Sequence, residues 1–531
     1  MRVATCVAAL AAAVAAAVAV AACDPEPATL HHRRDPGALI VAQPADIVSL
    51  DLARVTDSES IEVAQELFDG LVRWKPGTTD VVPGVATWQV DNKRWTFFLR
   101  AGIKFHDGTP LDAAAVVFSF ERLLDPKHPY YLGDAGDYWR SVLKDVERVV
   151  AVDDHTVEID VARPYAPLLG DLAIFPIVSP TAVARLGDDF QNHPVGSGPY
   201  AFESWSPGEQ VVLHRFDDYW DGPAGLERIV FEVVGDARQR LVDLESGSVD
   251  LATSLLPDEL PFVELHPDLA LHHAPGNDVS YLAFNLDRPP FDDVRVRQAA
   301  NYAINKEPIV KLGFQGRATA ADGPLPPSQW GYHEAAVRYG YDLERGKQLI
   351  AAAVADGTLD PTKTFKLYAP TTPRLYMSQP ERVARFLQAG LESVGLHTEL
   401  VLQPFQQHRA SIEHGDHDLC LFGWIGDTGD PDDFLYTLFD RDNAQPGEAQ
   451  NVAFYRDPQV HILLLAAQGA TDPNTRERLY AQVQDKIAAD APWVPIAHAE
   501  LVVAGRAELT NVVVTPTGSP VYPLIRRAEP R

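Results

Sequence analysis

A few side chains in this 531-residue sequence are of types that do chemistry, and their spacing limits what that chemistry can be. Gly196-Ser197-Gly198-Pro199-Tyr200 presents a serine between glycines. Pro199 follows at once, so the strand–turn–helix elbow that exposes a nucleophilic serine is not built here, and catalysis by Ser197 is not expected. His414, Asp416, His417 and Asp418 offer imidazole and carboxylate ligands in one short stretch. Gly415 interrupts them and the last two lead into a strand, so the expected reading is a solvated turn and no metal. His106, in His106-Asp107-Gly108, fits a turn closing a strand, with glycine supplying a backbone angle other residues resist. There is no Gly-x-x-x-x-Gly-Lys-Ser/Thr phosphate loop, no His-Glu-x-x-His helix and no Gly-x-Ser-x-Gly elbow. Carboxylates are so frequent that the nearness of any two carries little weight. The expectation is a protein that is not an enzyme and has no cofactor.

The elements that must position such residues alternate in type along the chain. Trp95 to Arg100 and Thr156 to Val161 read as strands, the second with alternating apolar and polar residues. Ala113 to Leu124, Arg295 to Ile304 and Glu381 to Val394 carry apolar residues at helical spacing. The pattern is α/β with mixed sheets. The chain changes character near Pro275-Gly276-Asn277-Asp278 and again near Ala491 to Ile496, which suggests two extended crossings between two lobes that close on a ligand. The expected organisation is a leader at 1–22, a tether at 23–37, lobe I with an additional subdomain at 38–275, lobe II at 276–494, and a return to lobe I at 495–531.

The first residues address the compartment. Arg2 precedes an Ala/Val stretch that ends in Val20-Ala21-Ala22-Cys23, the layout of a secretory signal. Val-Ala-Ala-Cys resembles a bacterial lipobox, in which the Cys23 thiol is acylated; a plain signal peptide containing a cysteine is the alternative. The Pro-rich polar residues after Cys23 suit a tether and cannot bury a core. The other cysteines are Cys6, within the leader, and Cys420, which has no partner, so the core and not disulfides must hold the fold. A net charge of -29 and a pI near 4.9 argue against nucleic acid, which needs a basic surface.

Five blocks in order then carry a resemblance. Arg100 to Pro110, with Val116-Val117-Phe118-Ser119, is similar to the signature of the family 5 extracytoplasmic solute-binding proteins, the dipeptide, oligopeptide and nickel-binding components of ABC importers. Pro194 to Tyr200 with Asp218-Tyr219-Trp220, Leu244 to Asp250, Phe284 through Ala299, and Trp424 to Asp432 match further blocks of that family. The resemblance implies a two-lobed periplasmic-binding-protein fold of type II, resembling its cluster C. It also implies a short peptide ligand, a permease with its ATPase subunits as partners, and a monomer on the outer face of a membrane.

Within the family, Tyr368 to Tyr376 resembles the segment in which dipeptide binders hold the ligand carboxylate with an arginine, here Arg374. Tyr376 matches the aromatic two residues on, and Leu375 stands where those proteins carry proline. Asp427, in Trp424-x-Gly426-Asp427, matches the aspartate that takes the ligand ammonium, and Phe405 falls where they have a tryptophan lining the pocket. Guanidinium grips a carboxylate with two parallel hydrogen bonds, which suits Arg374 to that task. A surface ion pair for Arg374, a turn cap for Asp427 and a core position for Trp424 are the structural alternatives. Asp430 and Asp432 are expected to shape the turn at Pro431, and Arg297 to hold the helix after the first crossing. Oligopeptide, glutathione, haem or a nickel complex are the alternative ligands, the last drawing on His408, His414 and His417. A peptide sensor is the alternative role, and a hydrolase the least favoured.

Overall fold

The computed structural model describes residues 37–528. The expected leader, Cys23 and the tether up to residue 36 lie outside the described residues. Among the described residues no helix is long and apolar enough to cross a membrane.

Twelve strands join in one mixed sheet, and four more form a separate antiparallel sheet. The two-lobed architecture follows from one strand, Trp493–Arg506, which is shared. Its first part pairs with Asp278–Phe284, from Ala283↔Trp493 to Ser280↔Ala497, and with Ala318–Ala320. Its last part pairs with Leu269–Pro275, from Pro275↔Glu500 to Leu269↔Arg506, and with Leu251–Ala252. The expected return at 495 therefore falls inside a strand, and the partner changes at Ala499–Glu500. Pro495, which lacks an N–H, is absorbed where the register shifts beside Ser280 and Tyr281.

The other crossing, at Pro275 to Asp278, lies against this point. The Gly276 N–H donates to the Ala499 carbonyl (2.9 Å), and Asp278 Oδ1 accepts from the Ala499 N–H (2.9 Å). Only glycine fits at 276, because a Cβ there would lie 1.9 Å from Asp278 Oδ2. Two crossings bonded side by side form a compact hinge.

On one side of the hinge, Tyr200–Ser206, Gln210–Arg215, Arg228–Val233, Ala38–Gln43 and Leu251–Ala252 continue the sheet. The four-stranded sheet, Ala86–Asp91, Arg94–Leu99, Thr156–Val161 and Val146–Asp153, carries the helix Ala113–Leu124 and has its own core around Trp95, Phe97, Phe105 and Phe120. Asp112 caps that helix through the Ala115 N–H, which sets its start at the residue the periodicity predicts. On the other side of the hinge, Thr364–Pro370 lies parallel to His397–Gln403 and to Leu419–Ile425, which pairs in turn with Asp278–Phe284. The helices Val294–Ala303 and Pro380–Ser393 cover one face of these strands, burying Val296, Leu387 and Leu391 against Leu282, Leu367 and Leu421.

Arg297 does more than hold its own helix. Its guanidinium donates to the Asp490 carbonyl (2.9 and 2.7 Å) and the Phe291 carbonyl (2.7 Å), so it caps the end of the helix Pro473–Asp490.

Candidate ligand-binding site

The blocks nearest the chain's start build the fold. His106 is half-buried, with Nε2 3.0 Å from the Gly198 carbonyl, and loss of surrounding water pushes its pKa down to about 4. Ser197 is fully buried and donates to Asp69 Oδ2 (3.1 Å). Cβ atoms at Gly196 and Gly198 would sit 1.9 and 2.5 Å from the carbonyls of Leu67 and Glu66, so this segment packs directly on neighbouring backbone. A serine so enclosed has no access to substrate. The candidate metal cluster also separates: His417 is buried with Nε2 3.0 Å from the Val452 carbonyl, while Asp418 Oδ2 accepts from the Lys366 N–H and His414 faces solvent. His408 is likewise buried on the Leu421 carbonyl (3.0 Å).

The residues suggested for ligand binding lie elsewhere, at one edge of the second lobe. Because Thr364–Pro370, His397–Gln403 and Leu419–Ile425 are parallel, their carboxyl ends share that edge, the usual place for a ligand in an α/β sheet. Arg374 follows the first strand, Phe405 the second and Asp427 the third. The hinge strand begins there too, since Asp278 is paired with Ile425.

Arg374 is exposed, and its guanidinium stacks over the Phe405 ring at 4.3 Å. Phe405 stacks in turn on Phe422 (centroids 6.0 Å apart), and Tyr376 meets Phe422 edge-on at 6.4 Å. Tyr376 is buried beside Arg374, and burial raises the pKa of its hydroxyl while the neighbouring cation partly offsets this. The tyrosine ring occupies the space a side chain at 423 would fill: a Cβ on Gly423 would lie 2.3 Å from it. Leu375 does not disturb the turn, which Arg374 and Met377 close with mutual backbone hydrogen bonds of 3.0 and 2.9 Å. Arg374 is thus a cation on an aromatic shelf, facing solvent.

The second group sits on the loop after Leu419–Ile425. Gly426 is locked to the hinge: its N–H donates to the Asn277 carbonyl (2.7 Å), and its carbonyl accepts from Asn277 Nδ2 (3.1 Å). A Cβ at 426 would lie 2.3 Å from Asn277 Nδ2 and 2.4 Å from the Phe434 ring. Trp424 is half-buried and packs against the cluster of Tyr281, Phe434 and Leu438, so one face belongs to the core. Its indole N–H donates to Asp433 Oδ1 (3.2 Å). Asp433 Oδ2 accepts from the backbone N–H of Asp427 (2.5 Å) and of Thr428 (3.3 Å). The Asp427 side chain reaches the open surface, yet the protein around it raises its pKa to about 6. Asp433, more enclosed and beside that charge, is pushed up to about 8.

Asp430 and Asp432 have separate tasks. Asp430 caps the helix Pro431–Phe439 and takes both arms of Arg476 (2.7 Å each) in a buried pair. Asp432 Oδ2 accepts from Gln468 (2.8 Å), and its own burial raises its pKa to about 7. Asp440, Asp442 and His461 bring three ligand-type atoms within 4.8 Å of one another, but Asp440 is engaged by His461 (2.9 Å) and by the Asp442 N–H (2.8 Å).

The first lobe faces this loop. Tyr138 is partly exposed, and the charges of Asp427 and Asp433 add to burial in raising its pKa. Gly170 approaches so closely that a Cβ would lie 2.8 Å from the Thr428 carbonyl. Thr79 donates to Gln329 Oε1 (3.1 Å), and Arg163 to Gln468 Oε1 (2.6 Å). Between the lobes lies an open pocket lined by Arg163, Tyr165, Asp171, Thr428, Asp432 and Asp433. Asp433, Asn277, Phe422 and Tyr138 were not singled out from the sequence. Gly423 could have signalled part of this, since a glycine inside an aromatic-rich strand marks a close approach.

Known proteins share this architecture. Residues 80–446 match the family described as bacterial extracellular solute-binding proteins, family 5, middle. Haem-binding protein A of Haemophilus influenzae is 34% identical over 458 residues, covering 82% of each chain. The dipeptide-binding protein of Escherichia coli is 32% identical over 472 residues, 85% of this chain and 87% of its own. Among solved structures, HbpA2 from Haemophilus parasuis superposes with a TM-score of 0.86 at 27% identity, covering 93% of this chain and 100% of that one. DppA from Helicobacter pylori, in complex with the peptide STSA, gives 0.74 at 29% identity over 93% and 98%. With a hinged pair of lobes and the family blocks in place, the chain belongs to the family 5 bacterial extracellular solute-binding proteins.

Proposed function

We propose that the protein captures short zwitterionic peptides, chiefly dipeptides, and delivers them to the permease and ATPase subunits of an ABC importer. The observation that carries this reading is the placement of Arg374 and Asp427, an exposed cation and an exposed anion just past the ends of neighbouring parallel strands. Two extended residues span about 7 Å, which sets how far apart a dipeptide holds its two charged ends. Arg374 takes the carboxylate, Asp427 the ammonium, and Phe405, Tyr376 and Trp424 the apolar flanks. Relatives named for dipeptide and di/tripeptide binding support the same class.

The mechanism is binding without bond-making. Peptide docks on the second lobe, and the first lobe, with Tyr138, rotates onto it about the paired crossings at 275–278 and 499–500. Closure removes water from the charge pairs. A pair at 4 Å gains about 1 kcal/mol in bulk water and about 4 kcal/mol at an effective dielectric of 20. Ligand therefore favours the closed form, which the permease recognises. In this reading Cys23 is acylated, which tethers the protein, a monomer, to the outer face of a membrane.

Calorimetry with Ala-Ala tests it. Asp427→Asn should weaken binding by at least thirtyfold, corresponding to about 2 kcal/mol or more for a desolvated pair, and N-acetyl-Ala-Ala should bind far worse than the free peptide. Unchanged affinity in either arm would sink the assignment. A haem ligand is the second reading, favoured by the likeness to a relative named haem-binding protein A.

A further inference from the structure

The ammonium position of the proposed site contains a second carboxylate. Asp433, in the first turn of the helix Pro431–Phe439, turns back toward the loop that carries Asp427. One oxygen accepts the N–H groups of Asp427 (2.5 Å) and Thr428 (3.3 Å), and the other accepts the Trp424 indole (3.2 Å). Three donors thus converge on one side chain, and two of the residues they belong to are the proposed ammonium partner and the aromatic wall.

We propose that Asp433 is a positioning residue of the ammonium subsite that fixes Asp427 and Trp424 and shares with Asp427 one proton, which a cationic ligand displaces into solvent. This rests on the reading of Asp427 as the ammonium partner. The donors on Asp433 favour its charged form, whereas no hydrogen bond among the described residues engages the Asp427 carboxylate. The proton belongs to the pair and not to either carboxyl alone. Burial and the like charge raise the last ionisation of the pair into the neutral range.

Among the described residues no cation forms an ion pair with Asp427 or Asp433. From the first lobe, Tyr138 and Asp171 face it, and both titrate upward because of burial and its negative charge. Lys144 and Arg163 line the adjoining pocket, and Arg163 is engaged by Asp145 (3.1 Å) and Gln468 (2.6 Å). On its own helix the neighbours are Asp432, held by Gln468, and Tyr436; Asp430 is neutralised by Arg476. An entering ammonium brings the charge that lets both carboxylates ionise.

The direction with pH follows from the sign. A proton bound to the empty site and absent from the complex makes affinity rise with pH, by about tenfold per unit where one proton is displaced. The rise should run from about pH 6 to 7.5, until the peptide's own α-ammonium begins to titrate near 8.

Two measurements separate this from the peptide reading. Carboxyl carbon NMR of the ligand-free protein should show the pair losing its last proton between about pH 6 and 8, with the Trp424 indole signal moving in step. Asp433→Asn should abolish that step and leave Asp427 titrating once, near or below 6. Asp427→Asn should shift the Asp433 titration down and serves as the reciprocal variant. Calorimetry with Ala-Ala at pH 7, in buffers of different ionisation enthalpy, should give close to one proton released for the native protein and a small fraction of one for Asp433→Asn. Both carboxyls titrating below pH 5 in the free native protein would overturn the shared proton, however tightly peptide binds. A neutral-range titration with no heat from Ala-Ala would instead sink the dipeptide reading and the displacement with it, while the shared proton stands. Equal proton release by native protein and Asp433→Asn would overturn the role given to Asp433.

Discussion

Arg374→Ala should separate binding from stability. The side chain is exposed, so its removal opens no cavity and strands no buried charge. Among the described residues it stacks on Phe405, at 4.3 Å, and an exposed cation–π contact contributes about 0.5–1 kcal/mol. In a chain of 531 residues, a loss of that size moves the melting temperature by no more than about 2 °C. In the closed complex the same guanidinium is desolvated against a carboxylate, where truncation costs about 2–5 kcal/mol, or roughly thirtyfold to several-thousandfold in Kd. Calorimetry with a dipeptide and a thermal melt without ligand give the two numbers. Arg374→Lys should recover part of the affinity, since it restores charge but not the two-pronged grip. Loss of less than about threefold in affinity would refute the carboxylate role. A melting shift larger than about 5 °C would show that Arg374 holds structure instead.

Two further outcomes follow from buried charge. Arg476→Met leaves Asp430 without its bidentate partner in a buried setting, and should cost about 3–5 kcal/mol in urea unfolding; a loss below about 1 kcal/mol would contradict that. Glu66 is buried with Oε2 lacking a partner, and burial pushes its pKa up to about 8. Because the folded form holds the proton more tightly than the unfolded chain, the carboxyl's contribution is intact below about pH 4 and declines as pH rises toward 8. Glu66→Gln should therefore be near neutral at pH 4 and more stable than the native protein at pH 7.5, by about 2–4 kcal/mol from the size of the shift. Denaturant midpoints at the two pH values check this, and no difference between them would contradict it.

Local pattern revealed the elements whose ends are chemically marked. The helix Ala113–Leu124 and the strand Thr156–Val161 are where their periodicity puts them, because Asp112 caps one and alternate burial fixes the other. The long strand Trp493–Arg506 was less legible. The stretch with Pro492 and Pro495 reads as an extended crossing, whereas it opens a long strand whose irregularity is taken up beside Ser280 and Tyr281, a pairing not visible in local sequence. At the site, Arg374, Tyr376, Phe405, Trp424, Gly426 and Asp427 came from resemblance. The physical reason for Gly426 became clear only with Asn277, 149 residues away, pressed against it. Asp433 was hidden by composition: among 74 acidic residues one more aspartate carries no signal until its three donors are seen. His414 ends a helix and faces solvent while His417, in the loop that follows, is buried on the Val452 carbonyl, a separation that local spacing does not reveal.

The most direct test of the central claim is native mass spectrometry of the protein lacking residues 1–23, purified without denaturation and then stripped of whatever small molecule it carries. The account predicts one short peptide per protein, mostly two residues long with free amino and carboxyl termini, and loss of that species in Asp427→Asn. A tetrapyrrole, a metal chelate or an N-blocked molecule bound one to one would contradict it.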